Sequence, residues 1–140
     1  MRLGGQGFVA VERNGRWGTA IEVPGLEALN KGGTAEVSSV SCASAGNCAA
    51  GGDYMGVGDN EQGFVVSERH GVWGQAIEVP GLGALAFRPD AGAGPVSCAS
   101  PGNCAAGGNY EDKNYNVHGF VAIERHGRWG KAIEVPGPGA

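Results

Sequence analysis

Three tryptophans have the side chain and the spacing that a repeated ligand site would need. They lie 56 residues apart, at Trp17, Trp73 and Trp129, and each follows a turn and precedes a glycine. An indole ring in this position can stack on a sugar, as in lectins, or it can fill the space between two packed sheets. The spacing therefore predicts either one shallow binding site per repeat or a repeated structural contact.

The segments that differ most between copies are two loops, residues 55–62 and 111–118. Variable loops suit a recognition surface as well as a tolerant connection. Asp59 and its neighbours carry the oxygen ligands that calcium prefers, but the spacing of an EF-hand is missing, so we predict no metal and no cofactor. We expect further ligand-binding residues in and beside these loops, namely Tyr54, Tyr110, Asp59 and Asp112.

Glutamate–arginine pairs recur at the same position of every copy, as Glu12-Arg13, Glu68-Arg69 and Glu124-Arg125. Paired carboxylates can hydrolyse glycosides, but that chemistry needs one asymmetric site. We therefore interpret the recurring pairs as ion pairs or hydrogen bonds between repeats. No Ser–His–Asp arrangement can be read from the three histidines either, and the chain is predicted not to be an enzyme.

The four cysteines form two Cys-x5-Cys pairs, Cys42 with Cys48 and Cys98 with Cys104. Each pair brackets a turn, and directly opposed residues of two strands lie within disulfide reach, so we expect two disulfides. Free thiols and a zinc site are the alternatives. Disulfides indicate an oxidising, extracellular setting, although the N-terminal residues printed here do not read as a signal peptide.

Charge and hydropathy exclude two classes of partner. The chain has 10 basic and 14 acidic residues, for a formal net charge of −4, and no run of Lys and Arg. Nucleic-acid binding needs clustered positive charge, and a membrane span needs about 18 consecutive apolar residues, which the chain does not contain. We predict neither partner.

The elements that carry these residues follow a 56-residue repeat. Around the tryptophan the copies read GFVAVERNGRWGTAIEVPG, GFVVSERHGVWGQAIEVPG and GFVAIERHGRWGKAIEVPG. We predict four strands per unit, A to D, which in the second copy are residues 39–44, 47–54, 63–69 and 73–79. Asn14-Gly15 and its equivalents predict a tight C–D hairpin, and residues 26–30 predict one helical turn.

Hydrophobic alternation predicts how the strands are buried. In strand C, Phe64 and Val66 face one side while Val65 faces the other, and strand D is expected to place Trp73 and Ala76 on opposite sides. A sheet that is apolar on both faces must be covered on both faces. Four-stranded antiparallel units of this length indicate an all-β fold built from β-propeller blades, with another β-repeat array such as a prism or a solenoid as the alternative.

The chain contains two and a half units, which we assign to a single repeat domain: a half unit at residues 1–25 and full units at residues 26–81 and 82–140. Propellers close with about four to eight blades, so we expect the ring to be completed by association of identical chains, as a dimer or a trimer. A truncated gene or an excised fragment is the other explanation for the half unit.

The hairpin that runs from Ser67 to Trp73 resembles the Asp-box turn of sialidase-like propellers, with Arg69 nearest the place of the motif's Asp. The whole repeat, with SCASxGNCAAGG followed by the GFVV-to-EVPG segment, is similar to propeller repeats of secreted actinobacterial proteins of unassigned role. The resemblance covers the whole chain. It implies the propeller fold and brings no catalytic residues.

Three functions follow from these observations. The first is a non-enzymatic binding or recognition module, lectin-like, with carbohydrate as the ligand class. The second is a structural or scaffold repeat protein without a ligand of its own. A sialidase-like glycoside hydrolase is disfavoured, because no arginine cluster and no unique carboxylate pair is present.

Overall fold

The computed structural model describes residues 5–58, 60–86 and 90–136, and it is all-β with antiparallel sheets. Its first unit has two short strand pairs and is followed by a helical turn at the start of the second unit. These elements are β1 (Phe8–Val9), β2 (Glu12–Arg13), β3 (Arg16–Trp17), β4 (Ile21–Glu22) and α1 (Leu26–Leu29). Strand β1 pairs with β4, and β2 pairs with β3.

The second unit is a complete sheet with the strand order β5-β6-β7-β8, in which β9 also pairs with β7. Its strands are β5 (Ala35–Ser44), β6 (Asn47–Gly56), β7 (Asn60–Arg69), β8 (Val72–Trp73) and β9 (Ile77–Glu78). The helical turn α2 (Leu82–Leu85) follows at the start of the third unit. The predicted A to D order is confirmed. The first three strands are longer than predicted, because pairing continues beyond the residues that alternate in hydrophobicity.

The third unit repeats this sheet, with the strand order β10-β11-β12-β13 and β14 paired with β12. Its strands are β10 (Ala91–Ser100), β11 (Asn103–Glu111), β12 (Val117–Arg125), β13 (Arg128–Trp129) and β14 (Ile133–Glu134). Within the described part of the chain these sheets form no closed barrel or ring. Neither short helix among the described residues has the length and apolar character of a membrane span.

The fourth strand of each complete unit is interrupted after its tryptophan. The N–H of Ala76 donates to the carbonyl of Pro24 in the preceding unit, at 2.7 Å, and the third unit repeats this contact. Because the segment between β8 and β9 bonds to the neighbouring unit, Trp73 and Ala76 pack in the same apolar cluster. The strict alternation predicted for this strand is therefore wrong.

The C–D hairpins turn as the sequence predicts. His70 and Gly71 have φ angles of 51° and 82°, and Asn14 and Gly15 have 52° and 80°. Two consecutive residues with positive φ make a type I′ turn, whose twist matches that of paired strands. The conformation explains why glycine occupies the second position of every copy.

Strand β7 is covered on both faces, as predicted for strand C. Phe64 and Val66 lie in a cluster with Val9 of the first unit, whereas Val65 lies in a cluster with Phe120 of the third unit. The units therefore stack face against face. Each joint between two units buries one apolar face from each of them.

Candidate functional site

An open groove of about 1090 Å³ lies beside β1 and β2. In the complete units, strand B occupies the corresponding edge of strand C, but no A or B strand precedes β1 among the described residues. Residues of the first and the second unit together line the groove. Its apolar lining includes Phe8, Val9, Val11, Trp17, Val40 and Trp73.

The groove exposes residues whose equivalents are buried elsewhere in the chain. Phe8 is 62% exposed, while Phe64 and Phe120 are 0% and 1% exposed. Val40 is 57% exposed, and its equivalent Val96 is 9% exposed. The repeat encodes these side chains as core residues, so the groove presents core-like apolar surface to solvent.

The three predicted tryptophan sites have different surroundings. Trp17 is 70% exposed at the groove. Trp73 and Trp129 are partly buried and pack against the two apolar clusters, and the indole N–H of Trp129 donates to the hydroxyl of Ser67 at 3.1 Å. The side chains of Trp73 and Trp129 therefore make contacts between units, and Trp17 is the largely exposed indole of the three.

A hydrogen-bonded chain crosses the joint between the second and third units. The hydroxyl of Ser67 accepts from Trp129 and donates to Oε2 of Glu124 at 2.7 Å. Glu124 is 1% exposed, so this bond satisfies a buried carboxylate. The repeated glutamate thus takes part in a contact between units, in agreement with our interpretation of the recurring pairs.

The preceding joint lacks this hydroxyl. Val11 stands in the place of Ser67, and within the described residues Oε2 of Glu68 and the indole N–H of Trp73 are buried without a hydrogen-bond partner. Burial raises the pKa of Glu68, while the positive charge of Arg13 lowers it. The two joints therefore differ in whether the buried glutamate oxygen and the indole N–H have a hydrogen-bond partner.

The recurring arginines reach the turns of the following unit. A Cβ placed on Gly102 would lie 2.7 Å from Nη1 of Arg69, and one placed on Gly127 would lie 2.9 Å from the same atom. Arg13 approaches Gly71 in the same way, at 3.4 Å. The guanidinium thus packs on turn backbone that carries no side chain.

In each complete unit, hydrogen bonds join the A–B turn to the C–D turn, a contact that the sequence patterns did not predict. The side-chain oxygen of Asn47 accepts from the N–H of His70 at 3.2 Å, and the N–H of Gly71 donates to the carbonyl of Gly46 at 2.9 Å. The third unit repeats both bonds. The recurrence of asparagine after the Gly of the A–B turn was the available signal.

The predicted tyrosine sites face the protein interior. Tyr54 and Tyr110 are each 5% exposed, and their hydroxyls donate to Glu78 at 2.8 Å and to Glu134 at 3.3 Å. Burial raises the pKa of Tyr54, and the bonded carboxylate adds to the effect. Both tyrosines serve their own sheets, and neither offers a free hydroxyl to a ligand.

Asp112 organises the second variable loop. Its Oδ1 accepts from the N–H groups of Asn114 and Asn116, at 2.8 and 2.9 Å, and its Oδ2 lies 2.8 Å from Nε2 of His118. Nδ1 of His118 lies 3.1 Å from Glu134. The hydrogen bond from His118 lowers the pKa of Asp112 to about 2. Asp59, its counterpart in the prediction, lies outside the described residues.

Three carboxylates meet where the second and third units join. Burial, together with the hydrogen bonds and negative charges of Asp53 and Asp90, raises the pKa of Glu61 to about 7. The backbone of Glu61 also forms an isolated parallel β-bridge with Asp90, at the start of the third unit. Among the described residues, no group of three or more His, Cys, Asp or Glu side chains has an arrangement that could hold a metal ion.

The two predicted disulfides are present. Cys42 is bonded to Cys48 and Cys98 to Cys104, with Cα atoms 3.9 Å apart in both cases. Each pair lies directly opposed across the A–B hairpin, which is why a six-residue separation can be bridged. The disulfides are compatible with an extracellular protein.

Comparison with known proteins gives no relative from which a function could be transferred. No protein-family model matches the chain, and no curated protein and no solved structure matches it.

Proposed function

We propose that this chain is a non-enzymatic binding module built from propeller-type blades, and that its recognition surface is the groove beside β1 and β2. One observation carries the proposal: the groove is apolar and open, and its lining residues Phe8 and Trp17 are 62% and 70% exposed. Soluble proteins rarely leave such residues together in solvent unless they bind something. An extended apolar ligand or a sugar ring fits this chemistry.

The stacking of the units supports propeller blades. Both joints use equivalent apolar positions of strand C, and in both an arginine packs on the turns of the next unit. A joint that repeats with one geometry generates a regular array, and in a propeller that array closes at about four to eight blades. The blades needed for closure would come from further units of this kind.

The surroundings of four of the recurring acids support a function without catalysis. Glu68 and Glu124 are each 1% exposed and lie in the joints between units. Glu78 and Glu134 accept hydrogen bonds from buried tyrosines. A glycosidase needs two carboxyl groups that flank one substrate bond, and these acids are committed to contacts within the protein.

The proposal is tested with a glycan array and with a library of short peptides that favour the extended conformation. Binding should shift the fluorescence of Trp17 and should be lost in Trp17→Ala. Val57→Ala is the matched control, because Val57 is 78% exposed and does not line the groove. If neither class binds, or if binding survives Trp17→Ala, the groove is not the recognition surface.

A structural repeat without a ligand is the second candidate. The hydrogen-bonded chain through Ser67, Glu124 and Trp129 favours it, because it shows that a conspicuous tryptophan of the repeat serves the joint. This candidate predicts no binding in either screen. It also predicts that substitutions in the groove leave every function of the chain unchanged.

A further inference from the structure

We propose that the groove accepts a β-hairpin of the repeat's own A–B type. The inference rests on the proposed function, because it names the ligand class of the same groove. In this mode the incoming hairpin would add its strands to β1 and β2 and rebuild a four-stranded unit.

The backbone edge is the first part of the argument. In the second unit, β6 pairs along β7 from Cys48 opposite Glu68 to Gly56 opposite Asn60. The equivalent strands of the first unit, β1 and β2, pair only with β4 and β3 on their other side among the described residues. Their edge toward the groove therefore carries backbone groups that an added strand can bond.

Phe8 specifies small residues in the added strand. In the second unit a Cβ on Gly52 would clash first with the carbonyl oxygen of Glu36 on strand A and would lie 3.0 Å from the ring of Phe64. At Gly108 it would clash first with the carbonyl oxygen of Gly92 and would lie 2.7 Å from the ring of Phe120. Strand A and the phenylalanine ring together leave room only for glycine at this position. The exposed ring of Phe8 therefore matches a strand that has glycine at the same register.

Serine hydroxyls provide the polar part of the match. The N–H of Val96 donates to the hydroxyl of Ser39 in the preceding unit at 3.1 Å, and Cys98 donates to Ser41 at the same distance. Val40 is the equivalent of Val96 and lines the groove. A hairpin seated there would bring a Ser-x-Ser sequence to this strand.

These requirements identify a sequence. Residues 34–55 carry Ser39 and Ser41 on one strand and Gly51-Gly52 on the other, joined by a disulfide. Residues 90–111 differ at one decisive position, since Pro95 replaces Ser39. A second copy of the folded chain has no such hairpin free, because β6 and β11 already pair with β7 and β12.

The test uses the whole chain and an oxidised, end-blocked peptide with the sequence of residues 34–55. The peptide contains no tryptophan, so a change in emission reports Trp17, Trp73 or Trp129 of the chain. We expect saturable binding at concentrations below about 1 mM. Replacing Ser39 and Ser41 of the peptide by alanine, or using residues 90–111, should weaken binding by about fivefold or more.

Two valines of the chain give a matched pair of variants. Val40 and Val72 are 57% and 70% exposed, and only Val40 lines the groove. Val40→Glu places a charge where the glycine strand must approach and should weaken peptide binding by about tenfold or more. Val72→Glu should change it by less than about twofold. Equal circular dichroism and melting temperature of the two variants show that both are folded.

Three outcomes would overturn the inference: no binding of the peptide, equal binding of a scrambled disulfide-closed peptide, or no effect of Val40→Glu. Self-association that Val40→Glu abolishes and the peptide does not compete with would assign the groove to a second copy instead. If the hairpin fails while a glycan or a linear peptide binds through Trp17, the hairpin is wrong and the binding function stands.

Discussion

Ser67 of the second unit donates a hydrogen bond of 2.7 Å to Glu124 of the third unit. The same hydroxyl accepts the indole N–H of Trp129 at 3.1 Å. At the other joint the position of Ser67 is held by Val11, and the polar atoms that a hydroxyl would serve are buried without a partner in the described structure. One residue difference thus decides whether the buried glutamate and the indole N–H at a joint have a hydrogen-bond partner.

Ser67→Val should destabilise the chain by about 2 kcal/mol, because it leaves a buried carboxylate oxygen and a buried indole N–H unpaired at once. The measurement is the free energy of unfolding in urea. The comparison variant is Ser97→Val, at an exposed position, which should change that free energy by less than about 0.5 kcal/mol. Equal effects of the two substitutions would show that the Ser67 hydroxyl contributes nothing specific.

Val11→Ser should stabilise the chain by about 1 kcal/mol, because its hydroxyl would reach the two unpaired groups of Glu68 and Trp73. We expect the melting temperature to rise by about 3 °C. Val11→Ala is the control, since it removes the same apolar surface without adding a hydroxyl. A serine variant no more stable than the alanine variant would contradict the proposed equivalence of the two joints.

Glu61 should make stability fall as the pH rises. Its pKa is raised from 4.5 to about 7 in the folded chain, so the folded state holds a proton that the unfolded state has already released. The free energy of unfolding should therefore decrease between about pH 4.5 and pH 7 and level off above it. Glu61→Gln should remove this slope and should be more stable than the natural chain at about pH 8, by about 1 kcal/mol after allowance for solvent screening. An unchanged pH profile in Glu61→Gln would show that the Glu61 carboxyl is not the cause of the pH dependence.

His118 should titrate above the ordinary range of histidine. The hydrogen bond to Asp112 raises the pKa of His118, and the charge of Glu134 adds to the effect. The stabilisation from this raised pKa is complete below the ordinary histidine value and is lost as the pH rises through the folded value. NMR titration should show that the pKa of His118 falls in Asp112→Asn and is unchanged in the control Asp53→Asn. A His118 pKa that does not respond to Asp112→Asn would contradict the contact.

Local patterns predicted the parts of the fold that depend on local chemistry. The Asn14-Gly15 turn and its equivalents follow from the conformational preference of two adjacent residues, and the two faces of strand C follow from alternation. The disulfides follow from six-residue spacings across a turn. These features need no knowledge of how one unit sits on the next.

Contacts between units were beyond the sequence patterns. The interruption after Trp73 arises because Ala76 bonds to Pro24, which lies far away in the chain. The raised pKa of Glu61 depends on Asp90 of another unit. The burial of Tyr54 and the open face of Trp17 likewise follow from which neighbours are present, so residue type and spacing could not separate a ligand site from a joint.

Hydrogen–deuterium exchange of residues 8–13, with and without the oxidised peptide of residues 34–55, tests the central claim most directly. The open edge of β1 and β2 should exchange at least about tenfold faster than residues 64–69, which hold the same positions in the second unit. Saturating peptide should slow exchange at residues 8–13 and leave residues 64–69 unchanged. Strong protection of residues 8–13 in the free chain, or no added protection when the peptide is bound, would contradict a groove that receives a strand.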